Sequence, residues 1–450
     1  MKHRFWIFSA DHSGLPLAMR LQQEGHGVTL ALIRPEEREG KFTPPKDAKQ
    51  QKKNAEKTKY LLANGKGLID KMWASEAMPR ISRKDYVIFD QIYGWQFGDA
   101  LRRRGCKVLG GCEVGYTLET ERDGTLKLLK SLGMDLPAQQ KFGKGSSQKA
   151  IQFLEKAQDK SLYVLKSDNT AVVTQVANES NDELIAKIEA ESKEIDKEAC
   201  LLQERVDGTE FAVETWYSNG VPIMANVDIE AKKKYNEMCE VQTGCSYDLL
   251  WTIPLDHPLR ERVNKPFDKF AAKEIGTGLL DMSVIYEPKE DKYYALEVCG
   301  CRFAYNAFYS MLALLTVDVG DFLSSYLDGK YKGDVMERIF MQEPVYSCSI
   351  RVFNDDKTPD QMVSFPDDIK DDVWLWDVHK KGGAILTTGD EATGILTARG
   401  ENPEGAMAEL RKRFFQFSMP TKWARDDFDR EEEPGHPLAR FHRMERMKLM

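Results

Sequence analysis

The sequence predicts a multidomain protein that opens with a parallel α/β domain and continues as α+β. Three observations carry this expectation. The 450 residues exceed one ordinary domain and suffice for several cores. The first stretch alternates short apolar runs with helical spacing, in the order strand, loop, helix, strand, which is a βαβ unit. From Thr209 onward the apolar runs come in pairs joined by tight turns, as in an antiparallel sheet.

Composition narrows the class. Hydrophobic residues make up 42% and charged residues 30%, with a mean hydropathy of −0.50, as in a water-soluble globular protein. No apolar run reaches the roughly 20 residues that span a bilayer. Phe5–Phe8 is too short for the apolar region of a secretory signal, so the expected location is cytoplasmic. A net charge of −8 argues against direct nucleic-acid binding. Eight cysteines without a C-x-x-C pair read as reduced thiols.

The elements follow in order. Arg4–Ser9 is a strand, SADHSG a turn, and Leu15, Met19 and Leu21 mark a helix before the strand Val28–Ile33. Residues 34–59 are charged and read as a surface loop leading into an exposed helix. Tyr86–Phe89, Gln96–Arg104 and Cys106–Leu109 resume the alternation, and the first domain closes near 112. Residues 113–330 form the central domain. Val114–Leu132 is helical until Asp135-Leu-Pro137 stops it. Within that domain, 137–205 is a small unit with strands at Leu162–Lys166 and near Ala171–Gln175 and a helix Asp182–Ile195. Antiparallel strands then flank Ser218-Asn219-Gly220, followed by helix 258–275, strands Gly278–Tyr286 and Tyr293–Val298, and helices across 306–328. Residues 331–450 form a C-terminal α+β domain, with strands Tyr346–Phe353, Val373–Val378, Ala384–Thr388 and Thr393–Ala398 and helix Pro403–Phe417. No internal repeat is visible.

The octapeptide LEVCGCRF, Leu296–Phe303, carries the chemistry. A hairpin centred on Lys289 sets Asp281 opposite Glu297, and direct cross-strand partners lie about 5 Å apart at Cβ. Two such carboxylates repel, and one is driven to protonate unless a cation lies between them. Oxygen ligands suit Mg²⁺ or Mn²⁺. Arg302 offers a planar fork to a phosphate or carboxylate. Cys299 and Cys301 lack two further soft ligands, so they read as small buried residues. His12 reads either as a turn residue or as a base or phosphate ligand.

The run of a parallel α/β start, a helix, a small charged lid, LLQERVDGTEFAVE, antiparallel strands and a strand ending in Glu and Arg resembles the ATP-grasp carboxylate–amine ligases. Among them it is most similar to glycinamide ribonucleotide synthetase (phosphoribosylamine–glycine ligase). GILTARGENPEGAMAEL and KWARDDFD extend the likeness towards the end of the chain. The resemblance implies an ATP-grasp fold and ATP with Mg²⁺ as cofactors. It places Lys166 on the ATP phosphates, with Arg302 as its catalytic partner. It places Gln203, Glu204, Arg205 and Val206 around the adenine, Glu210 on the ribose hydroxyls, and Asp281 and Glu297 on the metal. Lys232, Thr243 and Gly244 stand at phosphate- and substrate-contacting loops, and His12, Ser13 and Gly14 at the substrate loop of the first domain.

Three departures accompany it. SDNTAVV after Lys166 has no glycine; Ser167, Asn169 and Thr170 offer side-chain donors instead. Cys299 replaces an Asn, with one extra residue before Arg302, and Asn306 or Asp281 could substitute. The first loop, SADHSGL, has only Gly14, and its Asp11 repels a phosphate. The implied activity is an ADP-forming, amide-forming ligase of a small carboxylate such as glycine with an amine, as in purine biosynthesis, acting as a monomer or homodimer. Two alternatives stand beside it: the same chemistry on another amine, such as a modified nucleotide or sugar, or a degenerate nucleotide-binding scaffold.

Overall fold

The computed structural model describes residues 2–40, 42–157, 160–167, 172–237, 242–300, 302–303, 305–335, 339–340, 346–430 and 435–450. The chain packs as two compact units. One comprises Met1–Lys127, Phe211–Ser283 and Glu297–Met450; the other comprises Leu128–Glu210 and Val284–Leu296. Cys301, Asn169 and Thr170 lie outside the described residues.

The first unit begins with a parallel sheet of β1 (Arg4–Ser9), β2 (Gly27–Leu32), β3 (Asp70–Trp73), β4 (Tyr86–Phe89) and β5 (Lys107–Leu109), in the order β3-β2-β1-β4-β5. Its core is Trp6, Phe8, Val87, Phe89, Leu101 and their neighbours. The expected strands and helices of this region are present. β3 is additional: Asp70-Lys-Met-Trp has no apolar run to announce it, and as an edge strand it needs only one buried face. The charged stretch does lead into a mostly exposed helix, Ala48–Ala63, whose first turn is capped by the Asp47 carboxylate accepting from the Gln50 N–H at 2.7 Å. Because the chain leaves β1 towards β2 on one side while β4 lies on the other, loops 10–14 and 90–94 flank the switch point of the sheet, where α/β folds bind ligands.

The second unit is built on β6 (Gln139–Phe142), β7 (Tyr163–Ser167), β8 (Gln175–Val176) and β9 (Cys200–Glu204), in the order β6-β9-β7-β8. Helices Ser147–Ala157 and Asp182–Ala190 bury Ile151, Leu154, Leu184 and Ile188 against Leu165 and Leu202.

The antiparallel strands are β10 (Thr209–Ser218), β11 (Val221–Lys233), β12 (Gln242–Ile253), β13 (Gly278–Glu287), β14 (Lys292–Gly300) and β15 (Tyr346–Asn354). Then come β16 (Met362–Val363), β17 (Val373–Leu375), β18 (Val378–Lys381), β19 (Ala384–Thr387), β20 (Ala392–Gly400) and β21 (Lys422–Trp423). The main sheet runs β14-β13-β10-β11-β12-β15-β20-β17, with β21 on β15 and a separate small sheet β16-β19-β18. Asn219 and Gly220 both adopt left-handed φ, 50° and 78°, the geometry of the tight hairpin turn that their types favour.

Two expectations change. The helix expected over 258–275 breaks after Pro258–Val263, because Pro266 has no N–H to continue it. Strand β15 pairs with β12, Tyr247 opposite Ile350. Residues after 346 therefore extend the central sheet, and the region expected to stand apart packs within the first unit.

Helix Trp95–Arg103 lies against the backbone after β5. A Cβ on Gly98 would come within 2.0 Å of the Gly111 carbonyl oxygen. Gly98→Ala is expected to destabilise the fold by roughly 1–3 kcal/mol through overpacking against rigid backbone, read as a lowered thermal midpoint with unchanged far-UV circular dichroism at 20 °C.

Candidate active site

The two-residue period of a strand sends alternate side chains to one face. On β11 this aligns Asn226, Asp228, Glu230 and Lys232. Register then adds neighbours: Glu214 of β10 lies opposite Asn226, Asp248 of β12 opposite Glu230, and Ser349 of β15 opposite Asp248. Glu214, Asp228 and Asp248 are fully buried, and Asp281 of β13 senses Glu214, Glu230 and Glu297. The sequence reading did not single out Glu214, Asp228, Glu230 or Asp248. Their signal was an acid interrupting each apolar run, which in a sheet with one wet face means only solvent exposure.

These acids reach two different solutions. At the open end, Lys232 Nζ lies 3.0 Å from Glu297 Oε1 and 3.7 Å from Glu230 Oε2, so an ammonium joins β11 to β14. At the closed end burial dominates, and the carboxyls are pushed towards neutrality. Glu214 rises to about 7, bonded by the Tyr305 hydroxyl. Asp248 rises to about 7 with Ser310 Oγ at 3.0 Å and the Ser349 hydroxyl on the same oxygen. Asp228 and Asp281 are raised well above the ordinary range, again chiefly by burial. Glu230 and Asp248 face each other directly, an arrangement that would repel were both ionised.

Arg302 pairs with Glu119 at 3.7 Å. Glu119, on helix Glu113–Thr120, is raised to about 7 by burial, with Arg302 opposing that shift. The helix approaches the end of β14 through glycines: a Cβ on Gly115 would meet the Gly300 carbonyl oxygen at 2.6 Å. Cys299 keeps its proton because burial raises its thiol, so it is a poor metal ligand. Asn306 is already engaged, donating to Ser349 Oγ at 2.9 Å and accepting from Arg351 at 3.3 Å. Thr243 donates to the Lys232 carbonyl at 3.1 Å, its own carbonyl accepts from Arg351 at 2.8 Å, and Gly244 follows with φ 83°. Both therefore belong to the Lys232 neighbourhood.

No group of three or more His, Cys, Asp or Glu side chains among the described residues is arranged to hold a metal ion. Asp281, with a buried oxygen lacking a hydrogen-bond partner, and the half-exposed Glu297 offer two carboxylates. That donor set fits Mg²⁺, which takes one or two carboxylates and fills its octahedron with water and phosphate.

The nucleotide candidates all fall in the second unit. Lys166 lies on β7 opposite Leu201 of β9. Gln203 is buried, and Glu204 accepts from Ser161 at 2.5 Å. The backbone N–H of Glu204 donates to the Ala138 carbonyl and that of Arg205 to the Leu162 carbonyl, both at 2.7 Å. The Arg205 guanidinium holds the carbonyls of Ala177 and Asn178. Val206 follows, and Glu210 begins the run along β10.

In the first loop His12 adopts φ 68° and is fully buried. Burial and nearby Lys71 hold its imidazole down to about 3, so it is neutral and cannot lend a positive charge to a phosphate. Ser13 and Gly14 make internal bonds to Asp11 and Asp90.

No protein-family model and no curated protein matches the chain. Solved structures do. The phosphoribosylamine–glycine ligase of Thermotoga maritima matches over 94% of this chain and 99% of its own, with a TM-score of 0.67 at 14% identity. The biotin carboxylase of Campylobacter jejuni, solved as a β-γ-ATP complex, matches over 94% and 93%, with 0.60 at 11%. The N5-carboxyaminoimidazole synthetase of Staphylococcus aureus matches over 92% and 98%, with 0.53 at 11%. At such identities the likeness is one of fold. The chain has the ATP-grasp fold, parallel first sheet and antiparallel sheets included.

The raised carboxyls make a signed prediction. Between their ordinary value of 4.5 and about 7, Glu214 and Glu119 keep protons in the folded protein that the unfolded chain has released. Their contribution to stability is therefore intact below pH 4.5 and lost as pH rises to 7. Glu214→Gln removes that titration, so its unfolding free energy relative to wild type should climb by on the order of 2–3 kcal/mol from pH 4.5 to 7. Urea titrations of both proteins at the two pH values measure it; a constant difference would rule out a buried protonated Glu214.

Proposed function

We propose that the chain is an ATP-dependent ligase that joins a small carboxylate to an amine. One observation carries the reading: Lys232 reaches Glu297 beside the Asp281 carboxyl, with Arg302 just beyond the end of β14. Such chemistry proceeds through an acyl phosphate and asks the protein for positioning and charge neutralisation rather than a nucleophile. Asp281 and Glu297 hold Mg²⁺, which when bound neutralises developing phosphate charge. Lys232 and Arg302 supply side-chain cations for transferring oxygens, Arg302 with the planar fork that suits them. The resemblance assigns Lys166 to the phosphates, Gln203–Val206 to the adenine and Glu210 to the ribose. The carboxylate is of glycine's size class, and the reaction releases ADP.

A protonated Cys299 where the resemblance has an amide favours a second reading, a nucleotide binder without turnover. Two measurements separate them. ATP with Mg²⁺ at a hundred times Kd should add about 2.7 kcal/mol to the unfolding free energy; no shift rejects nucleotide binding altogether. ADP release in the presence of amino acids and amines supports the ligase, and Glu297→Gln should lower it at least about a hundredfold with an unchanged melting temperature in the absence of ligand. Nucleotide-induced stabilisation with no ADP release would favour the binder.

A further inference from the structure

A cavity of about 470 Å³ opens beside the first loop of the first unit, walled by Asp11, Arg38, Glu56, Lys57, Tyr60 and Asp390. Its volume falls in the range of small-molecule sites. We infer that this cavity binds an ammonium-bearing, phosphate-free ligand of the amino-acid or short-peptide class. That this ligand is the amine acceptor rests on the ligase reading; that it binds does not.

The first argument is one of donors. Phosphate sites at the start of a helix work because backbone N–H groups there are free. Here those of residues 12–15 are taken. The His12 N–H donates to Ser9 Oγ at 2.8 Å, Ser13 to Asp11 Oδ1 at 3.1 Å, Gly14 to Asp90 Oδ2 at 2.8 Å and Leu15 to the His12 carbonyl at 2.9 Å. Gly14 serves this closure: a Cβ on it would meet an Ile7 methyl at 2.6 Å and the Asp90 Cβ at 3.0 Å. The glycine lets Asp90, not a ligand, approach.

The second argument is the charge of the walls. Three carboxylates, Asp11, Glu56 and Asp390, face two cations. The Arg38 guanidinium donates to the Ala10 carbonyl and lies over the Tyr93 ring at 5.4 Å. Lys57 makes no hydrogen bond or ion pair among the described residues; burial and neighbouring Arg38 lower its pKa. A phosphate dianion would meet more carboxylate than cation here. A zwitterion matches both signs, its ammonium among Asp11, Glu56 and Asp390 and its carboxylate at Lys57. The Tyr60 side chain lines the same cavity.

The test uses isothermal titration calorimetry on the full chain. The amine probes are glycylglycine and L-lysine, and the phosphate probes are ribose 5-phosphate and inorganic phosphate. Wild type is compared with Asp11→Asn, Asp390→Asn and Lys57→Ala, each first shown to melt as wild type does. The expected result is binding of at least one amine probe, weakened tenfold or more by Asp11→Asn and by Asp390→Asn, with no phosphate-probe affinity that Lys57→Ala removes. The inference is overturned by phosphate binding that depends on Lys57, by amine binding indifferent to both carboxylates, or by no amine binding at all. Nucleotide-induced stabilisation, read separately, decides the ligase reading whichever way these titrations fall.

Discussion

The alternation of β11 is the constraint on which the candidate active site depends. A strand cannot place Asp228 and Glu230 on one face without also placing Asn226 and Lys232 there. Val227, Ile229 and Ala231 must then fill the other side, where all three are buried. Once β10 and β12 pair in the observed register, Glu214 and Asp248 join the same face. A polar row of this kind has two ways to avoid repulsion, and the sheet uses both. Where the row meets solvent, Lys232 supplies the opposite charge. Where it is sealed, burial pushes the acids towards neutrality and they bond to Tyr305, Ser310 and Ser349. The sheet thus grades from an ionised end, where Lys232 meets Glu297, to a neutral one, where burial raises Glu214, Asp228 and Asp281.

That grading explains which parts of the site were legible in the sequence. The hairpin of β13 and β14 is local, joined by a short charged turn, so the association of Asp281 with Glu297 could be read from EPKEDK and the apolar runs beside it. Lys232 could not be assigned to Glu297, because β10 and β13 separate their strands in the sheet and no spacing in the chain encodes that order. The buried acids failed for a related reason. NVDIE alternates just as a half-wet strand does, and the helix Asn306–Ala313, whose Ser310 donates to Asp248, is remote from it in sequence. The early βαβ unit and the SNG turn were legible because each is fixed by neighbours in sequence; β7 and β9 were legible from their apolar runs, although they pair about forty residues apart. β3 was not, since an edge strand carries little apolar pattern, and the continuity of β12 with β15 rests on a pairing about a hundred residues apart.

The first loop and the lid strand share a compositional trait that the geometry of the first loop makes meaningful. Phosphate grips built from backbone need glycine, because only bare backbone lets several N–H groups turn to one anion. SADHSGL keeps one glycine and spends it on contact with Asp90, and the N–H groups around it close onto Ser9, Asp11, Asp90 and His12. The charged groups that line the cavity at this loop are side chains, Asp11 and Lys57 among them. Side-chain recognition differs from a backbone grip in kind: its sign is set by residue type, so the fold can be kept while the ligand class changes. This chain shares the fold of its structural neighbours at 11–14% identity. Strand register is what brings Lys232 of β11 to Glu297 of β14 at one end of the sheet. The first-loop cavity depends instead on residue type: three carboxylates line it, with a lysine that makes no hydrogen bond or ion pair among the described residues.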